Sequence, residues 1–404
     1  MRRAFNCPVL TRRAFRPGLR EKEGTMKIVL VIDQFDDATN GTTISAQRFA
    51  RALIQHGNQV RVIACGNPAD YKYAVRQMRF LPVVEHLITS QGMRLAIPNK
   101  HVFEKAAAWA DVVHFMMPSP LGIMGLRHVE KLGIPHTAAF HCQPENLTFS
   151  LHLGNSTRAN DFVYNRFRDT FFNRFTHIHC PSNMIADQLR QHGYTAQLHV
   201  ISNGIGPAYV YQKREKEDWL KDKFAVLMVG RYSGEKRQDV LIDAVAKSRH
   251  ANRIQLVLAG KGPMEKKLRR QAEERLIQPP VMEFYSPQRL IEIIAQCDLY
   301  VHTSDAEIEA MSCMEAFACG LVPVIAQSAR SATPQFALDE RSLFPAGDSA
   351  ALAQRIDGWF EHPEERREME RKYAESAKNY SLENSILQTE DMFRMAIREM
   401  GKPV

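Results

Sequence analysis

No apolar run in the sequence approaches the roughly 18–20 residues that a bilayer-spanning helix needs. The seven cysteines (Cys7, Cys65, Cys142, Cys180, Cys297, Cys313 and Cys319) show no CxxC spacing and no paired framework. That argues against a disulfide scaffold and fits a reducing cytoplasm. His152, His177 and His179 stand in no metal-ligand spacing with His141, and no DxD motif has an evident metal role, so neither zinc nor another metal cofactor is expected. Internal repeats, low-complexity tracts and nucleic-acid-binding motifs are absent, which leaves nucleic acid the lesser partner.

What is present points to a two-domain globular protein. The chain has 404 residues, more than one core of roughly 250–300 residues holds. Hydrophobic residues make up 45% and charged residues 24%, ordinary values for a folded protein. The net charge of +8 is uneven. Residues 1–25 hold seven Lys/Arg against two Glu, residues 26–204 hold 17 basic and 12 acidic side chains, and residues 205–404 hold 29 and 31. Residues 1–25 lack the apolar centre of a secretory signal. They read as a disordered basic extension, or as the product of a start assigned upstream of Met26, where MKIVLVID opens a first strand. The basic first half suits an anionic membrane surface or a phosphorylated substrate, or is plain solvated surface charge.

Strand and helix patterns alternate twice. Strands are predicted at residues 27–35, 59–65, 111–117, 136–141, 177–180 and 199–201, with helices at 44–56 and near 122–132. The series restarts after the turn signals of Asn203, Gly204, Gly206 and Pro207, with strands at 224–229, 254–259, 281–284, 299–302 and 322–326 and helices between them. The expectation is α/β, with two doubly wound parallel sheets, the first domain spanning 26–204 and the second 205–381. An amphipathic segment, 382–404, follows. Ligands of such sheets bind beyond the carboxyl ends of the strands.

Four loops there carry chemistry. Ser304 to Gly320 places Glu307 before a helix and Glu315 on it. A helix N-terminus suits a diphosphate, and carboxylates accept from sugar hydroxyls. Ser312-x-x-Glu315 is also a capping-box pattern, and Glu309 is an acid competing for either role. Gly230 to Asp239 puts Arg231 and Lys236 on a loop after a strand, a planar fork and a point charge for a departing pyrophosphate. Asp37 to Ser45 offers Gly41 for close backbone approach, with Asn40 or Thr43 equally able to cap the next helix. His141 ends a central strand and faces the expected cleft, with Glu145 nearby as an acid or base.

In this order, over about 300 residues, these motifs resemble the retaining glycosyltransferases of family 4, which have the GT-B architecture. The resemblance also takes in Val200 to Gly204, similar to the family's inter-domain hinge, and Gly260-Lys-Gly262-Pro263. It implies that Arg231 and Lys236 hold the donor diphosphate, with Gly41 and Gly262 at the donor site. Glu315 would bind the nucleotide ribose, Glu307 the hydroxyls of the transferred sugar, and His141 would face the reacting sugar. It implies a UDP- or GDP-hexose donor, no metal, and a last helix that crosses back to the first domain. One departure stands out. Where the family reads Glu-Gly-Phe-Gly, this chain reads Glu307-Ile308-Glu309-Ala310. After Phe284, where a glycine is common in the family, this chain has Tyr285, near where the base should stack.

The motif-bearing stretch resembles bacterial glycolipid synthases that glucosylate diacylglycerol. The expected reaction is hexose transfer, UDP-glucose-like, to a lipid or saccharide hydroxyl, in the cytoplasm or on the inner membrane face. Aromatics and arginines from Phe162 to Phe175 would lie on that membrane, or else form a core helix. An epimerase or phosphorylase on the same fold, or a non-catalytic binding subunit, are the rival expectations.

Overall fold

The computed structural model describes residues 24–37, 41–80, 85, 92–150, 153–154 and 156–402. Most of the expected extension, Asn40 and His152 lie outside the described residues. Seven strands form the first sheet: β1 (Lys27–Val31), β2 (Gln59–Cys65), β3 (Lys72–Val75), β4 (Val112–Phe115), β5 (His136–Ala139), β6 (His177–Cys180) and β7 (Gln197–Val200). They lie parallel in the order β3-β2-β1-β4-β5-β6-β7. Along β1 the side chains alternate, Val29 and Val31 into one apolar cluster, Ile28 and Leu30 into another. Both faces are covered, so the strand reads as an unbroken apolar run.

The second lobe repeats the plan. Strands β8 (Phe224–Val229), β9 (Ile254–Ala259), β10 (Val281–Glu283), β11 (Leu299–His302), β12 (Ala306–Glu307), β13 (Val322–Gln327), β14 (Arg330–Ser331) and β15 (Leu343–Pro345) follow in sequence. Six of them form a parallel sheet in the order β10-β9-β8-β11-β13-β15, and β12 pairs with β14 beside it. Strand order reverses between β1 and β4 in one sheet and between β8 and β11 in the other. Connections leave a reversal point toward opposite faces, which opens a crevice at the strands' carboxyl ends.

The chain passes between the lobes twice, side by side. Ile205 pairs with Ser381, its N–H donating to Tyr380 O at 2.7 Å, and Leu382 N–H donates back to Ile205 O at 3.0 Å. Gly204 has φ +77°, and a Cβ there would stand 2.6 Å from the Leu382 Cα. Glycine alone fits this crossing. The helix Leu382–Glu399 then returns to the first lobe, where Ile386, Met392, Phe393 and Ile397 share a core with Ile28 and Leu30.

The aromatic segment from Phe162 to Phe175 is mainly core. Tyr164, Phe171, Phe172 and Phe175 are buried, and Phe162 alone of its aromatics is well exposed, at 70%. Among the described residues, no helix is long and apolar enough to cross a membrane.

Candidate active site

The loops after β8 and β11 leave the reversal point of the second sheet together, because those strands are hydrogen-bonded neighbours. They are also fastened to each other. The Thr303 hydroxyl donates to Lys236 O at 2.8 Å and the Asp305 N–H to Glu235 O at 2.8 Å. Arg237, at φ 54°, donates to Asp305 at 3.1 Å. This frame sets Lys236 Nζ 2.5 Å from the Glu307 carboxylate. Their side chains are 17% and 15% exposed, so the pair faces the cleft from a mostly dry wall. A cation for a phosphate oxygen and an acceptor for a sugar hydroxyl are thus held at one point. Arg231 stands half-buried on the same loop, with the Gln238 amide donating to its carbonyl at 2.8 Å.

Glu307 leads into the helix Met311–Ala318. Its cap residue, Ala310, has φ 67° and makes no side-chain cap bond, so no side chain covers the positive dipole end of the helix. The capping-box pattern is therefore not realised. Ser312 lies inside the helix with its hydroxyl 3.0 Å from the Tyr300 hydroxyl, and Glu315 turns toward the other lobe. There it accepts from Arg48 Nη2 at 2.6 Å, 7% exposed. Burial pushes the Glu315 carboxyl up, while Arg48 and the Tyr209 hydroxyl pull it down.

The altered loop has its own partners. Ile308 packs against the core cluster of the first lobe. Glu309 is buried and accepts from the Asn203 N–H at 2.8 Å and the Asn203 amide at 2.7 Å, so its place is the lobe crossing. Burial pushes its carboxyl up to about 7 despite those bonds. Ala310 keeps the left-handed backbone that a glycine would occupy without strain.

The remaining candidates divide. His141 follows β5 and is buried, its ring edge-on to His179 at 5.2 Å. Burial first, then His179 and His114, hold its pKa well below the usual value, so it is a neutral imidazole. Gly41 opens the helix Gly41–Gln55, with open space where a Cβ would stand and no left-handed φ, so the backbone there does not require glycine. Gly262 is a packing position. A Cβ would meet Tyr232 O at 2.4 Å, which lets the loop 260–263 lie directly under the Arg231 loop. Glu145 is buried and accepts from the Tyr164 hydroxyl at 3.2 Å, inside the first lobe.

Sequence reasoning missed Arg48, Tyr209 and the Glu309–Asn203 contact. For Arg48 a faint signal existed: Gly41, Ser45 and Arg48 recur at helical spacing, on one face.

Comparison with known proteins bears on the fold and the family. The family model described as Glycosyltransferase Family 4 matches residues 39–209, and the one described as Glycosyl transferases group 1 matches residues 211–378. An alpha-monoglucosyldiacylglycerol synthase of Streptococcus pneumoniae is 24% identical over 319 residues, 74% of this chain and 71% of that protein. A GDP-mannose-dependent alpha-mannosyltransferase of Mycolicibacterium smegmatis is 28% identical over 319 residues, 75% of this chain and 80% of that protein. Among solved structures, sucrose-phosphate synthase from Thermosynechococcus elongatus superimposes with a TM-score of 0.76 at 17% identity, over 93% of this chain and 100% of that one. An Anabaena protein in complex with UDP and glucose gives 0.69 at 17%, over 92% and 100%. The two Rossmann-like lobes, the paired Lys236 and Glu307 at a strand-order reversal and these two consecutive family matches identify the chain as a family 4 glycosyltransferase of GT-B fold, an enzyme that uses a sugar-nucleotide donor.

Proposed function

We propose that the enzyme is a retaining hexosyltransferase that takes glucose from UDP-glucose and passes it to the hydroxyl of a membrane lipid of the diacylglycerol type. The observation that carries the donor half is the Lys236–Glu307 pair beside the open N-terminus of the helix Met311–Ala318. Arg231, Lys236 and the helix end take the diphosphate, Glu307 the sugar hydroxyls and Glu315 the ribose. Phe284 and Tyr285, at the end of β10, offer ring faces for the base, with Lys261 already 4.4 Å over Phe284.

In the reaction, the acceptor oxygen attacks the anomeric carbon on the face the diphosphate leaves. The bond from that carbon to the phosphate oxygen breaks, the bond to the acceptor forms, and the acceptor proton passes to the departing diphosphate. Lys236, Arg231 and the helix dipole disperse the charge on the leaving group. His141, neutral and buried, packs beside the sugar and offers no positive charge. No step calls on a metal.

The lipid half rests on the name of the Streptococcus pneumoniae relative and on one helical stripe. Arg158, Phe162 and Arg166 recur every fourth residue and all are exposed, on the helix Thr157–Thr170 of the basic lobe. An aromatic between two arginines suits an anionic interface. The mannosyltransferase relative favours GDP-mannose as the second donor to test. A thermal-shift screen of UDP-glucose, UDP-galactose and GDP-mannose, then transfer to diacylglycerol in anionic vesicles, separates these. Stabilisation by UDP-glucose with glucosylated lipid as product is the expected result. Glucose released to water alone, or no vesicle sedimentation, overturns the lipid acceptor.

A further inference from the structure

The donor site described above leaves Arg48 without a task, yet two other segments hold it. It sits on the helix Gly41–Gln55 of the first lobe, and its guanidinium crosses the cleft. Nη2 donates to Glu315 Oε1 at 2.6 Å, and Nη1 lies 3.9 Å from Met311 Sδ at the start of the same helix. Ser45, one turn earlier, donates to that sulfur at 3.5 Å. The guanidinium carbon is 6.0 Å from the centre of the Tyr209 ring, in the segment just past the lobe crossing. The start of the first lobe's helix and the start of the donor-site helix therefore meet through Ser45, Arg48, Met311 and Glu315.

Glu315 needs that partner. Its carboxylate is almost wholly buried, and an isolated buried carboxylate gives up its charge. Facing it are Arg48, Tyr209, Tyr300 of β11 and Cys319 at the end of its own helix. Burial pushes the Tyr300 and Tyr209 hydroxyls up, and the Cys319 thiol up to about 12, so all three stay neutral at ordinary pH. Arg48 is the cation facing Glu315, and it belongs to the opposite lobe. A carboxylate accepts from both hydroxyls of a ribose, whereas a protonated carboxyl has to donate one hydrogen itself.

We propose that Arg48 is a positioning residue for nucleotide recognition, holding Glu315 as a carboxylate across the cleft so that the ribose site is complete only when the lobes are closed. The proposal rests on the donor reading above. It makes the lobe expected to bind the acceptor a contributor to donor affinity.

The experiment titrates UDP and GDP calorimetrically into the full chain, as wild type, Arg48→Met and Arg48→Lys, from pH 6 to pH 9, with small-angle scattering of each without nucleotide. Wild-type affinity should vary with pH less than that of Arg48→Met. Arg48→Met should bind at least about tenfold more weakly at pH 6 and recover toward wild type as pH rises, because burial raises the Glu315 pKa and Arg48 no longer lowers it. Arg48→Lys should fall between, and Arg48→Met should have the larger radius of gyration. Equal binding at every pH overturns the proposal. So does a loss that is the same at every pH, since a direct ligand contact or a fold prop gives that. Should Arg48→Met fail to fold, the pH profile of Arg48→Lys decides in the same terms. A wild type that binds neither nucleotide overturns the donor reading and the recognition role together, and an unchanged radius of gyration in Arg48→Met overturns the closure alone.

Discussion

Replacing Glu309 with Gln tests the lobe crossing through its pH dependence. In the native protein this carboxyl is 2% exposed and is pushed up to about 7 from the ordinary 4.5. Burial is the main cause, and the hydrogen bonds from Ser202 and Asn203 offset it only in part. A raised acid pKa means that the folded state holds the proton more tightly than the unfolded chain. The associated stability is complete below about pH 4.5 and disappears as pH rises through 7. Roughly 2.5 units at 1.36 kcal/mol each gives about 3 kcal/mol. Gln keeps an acceptor for Asn203 but does not titrate, so any cost of its altered hydrogen bonding is the same at every pH. The stability difference should move toward Glu309→Gln by about 3 kcal/mol between pH 4.5 and pH 8. With a urea slope of a few kcal/mol per molar, the midpoints should separate by on the order of 1 M across that range. Tryptophan fluorescence of both proteins at pH 4.5, 6 and 8 reads this directly. Parallel stability curves would refute the reasoning, and would mean that Glu309 is ionised at the crossing or reached by water.

Glu307→Ala and Lys236→Ala should each abolish glycosyl transfer while circular dichroism stays native, and normal turnover in either would remove the pair from the site. Ala310→Gly should relieve the left-handed strain and raise stability by roughly 1 kcal/mol, read as a higher melting temperature; a lower one would show that the loop is held by the Ala310 methyl group. Gly262→Ala should push Tyr232 and the Arg231 loop aside, lowering the melting temperature and raising the donor KM, whereas unchanged kinetics would detach that loop from the donor. Transfer should continue at full rate in EDTA, and a loss restored by a divalent cation would give the diphosphate a different partner.

The strands were legible because both faces of each sheet are covered, so Ile28 to Val31 and Phe224 to Met228 are plain apolar runs. β3, with Lys72 at its start and four residues in all, carries no such run and escaped notice. The loops after β8 and β11 could be found because each lies next to its strand in sequence. Arg48 could not, because its partner is 267 residues away and helical spacing does not say what a face meets. Ser312-x-x-Glu315 shows the opposite failure, in which a valid local pattern lost to tertiary contacts with Tyr300 and Arg48. The segment from Phe162 to Phe175 left core and interface open on composition alone. The structure buries Tyr164, Phe171, Phe172 and Phe175, which decides it for core except at Phe162.

The returning helix also bears on synthesis. Ile386, Met392, Phe393 and Ile397 cover one face of the sheet that begins at Lys27, jointly with Phe49, Ala50 and Leu53 of the helix Gly41–Gln55. While the ribosome is still making the second lobe, the part of that face under the returning helix stays open to water and to other chains. The lobe translated first is thus the one finished last, and the second lobe, whose cluster draws on residues 205–377, can close before it. Translation that stalls before residue 386 would release a chain with a half-covered sheet, a substrate for chaperones and proteases.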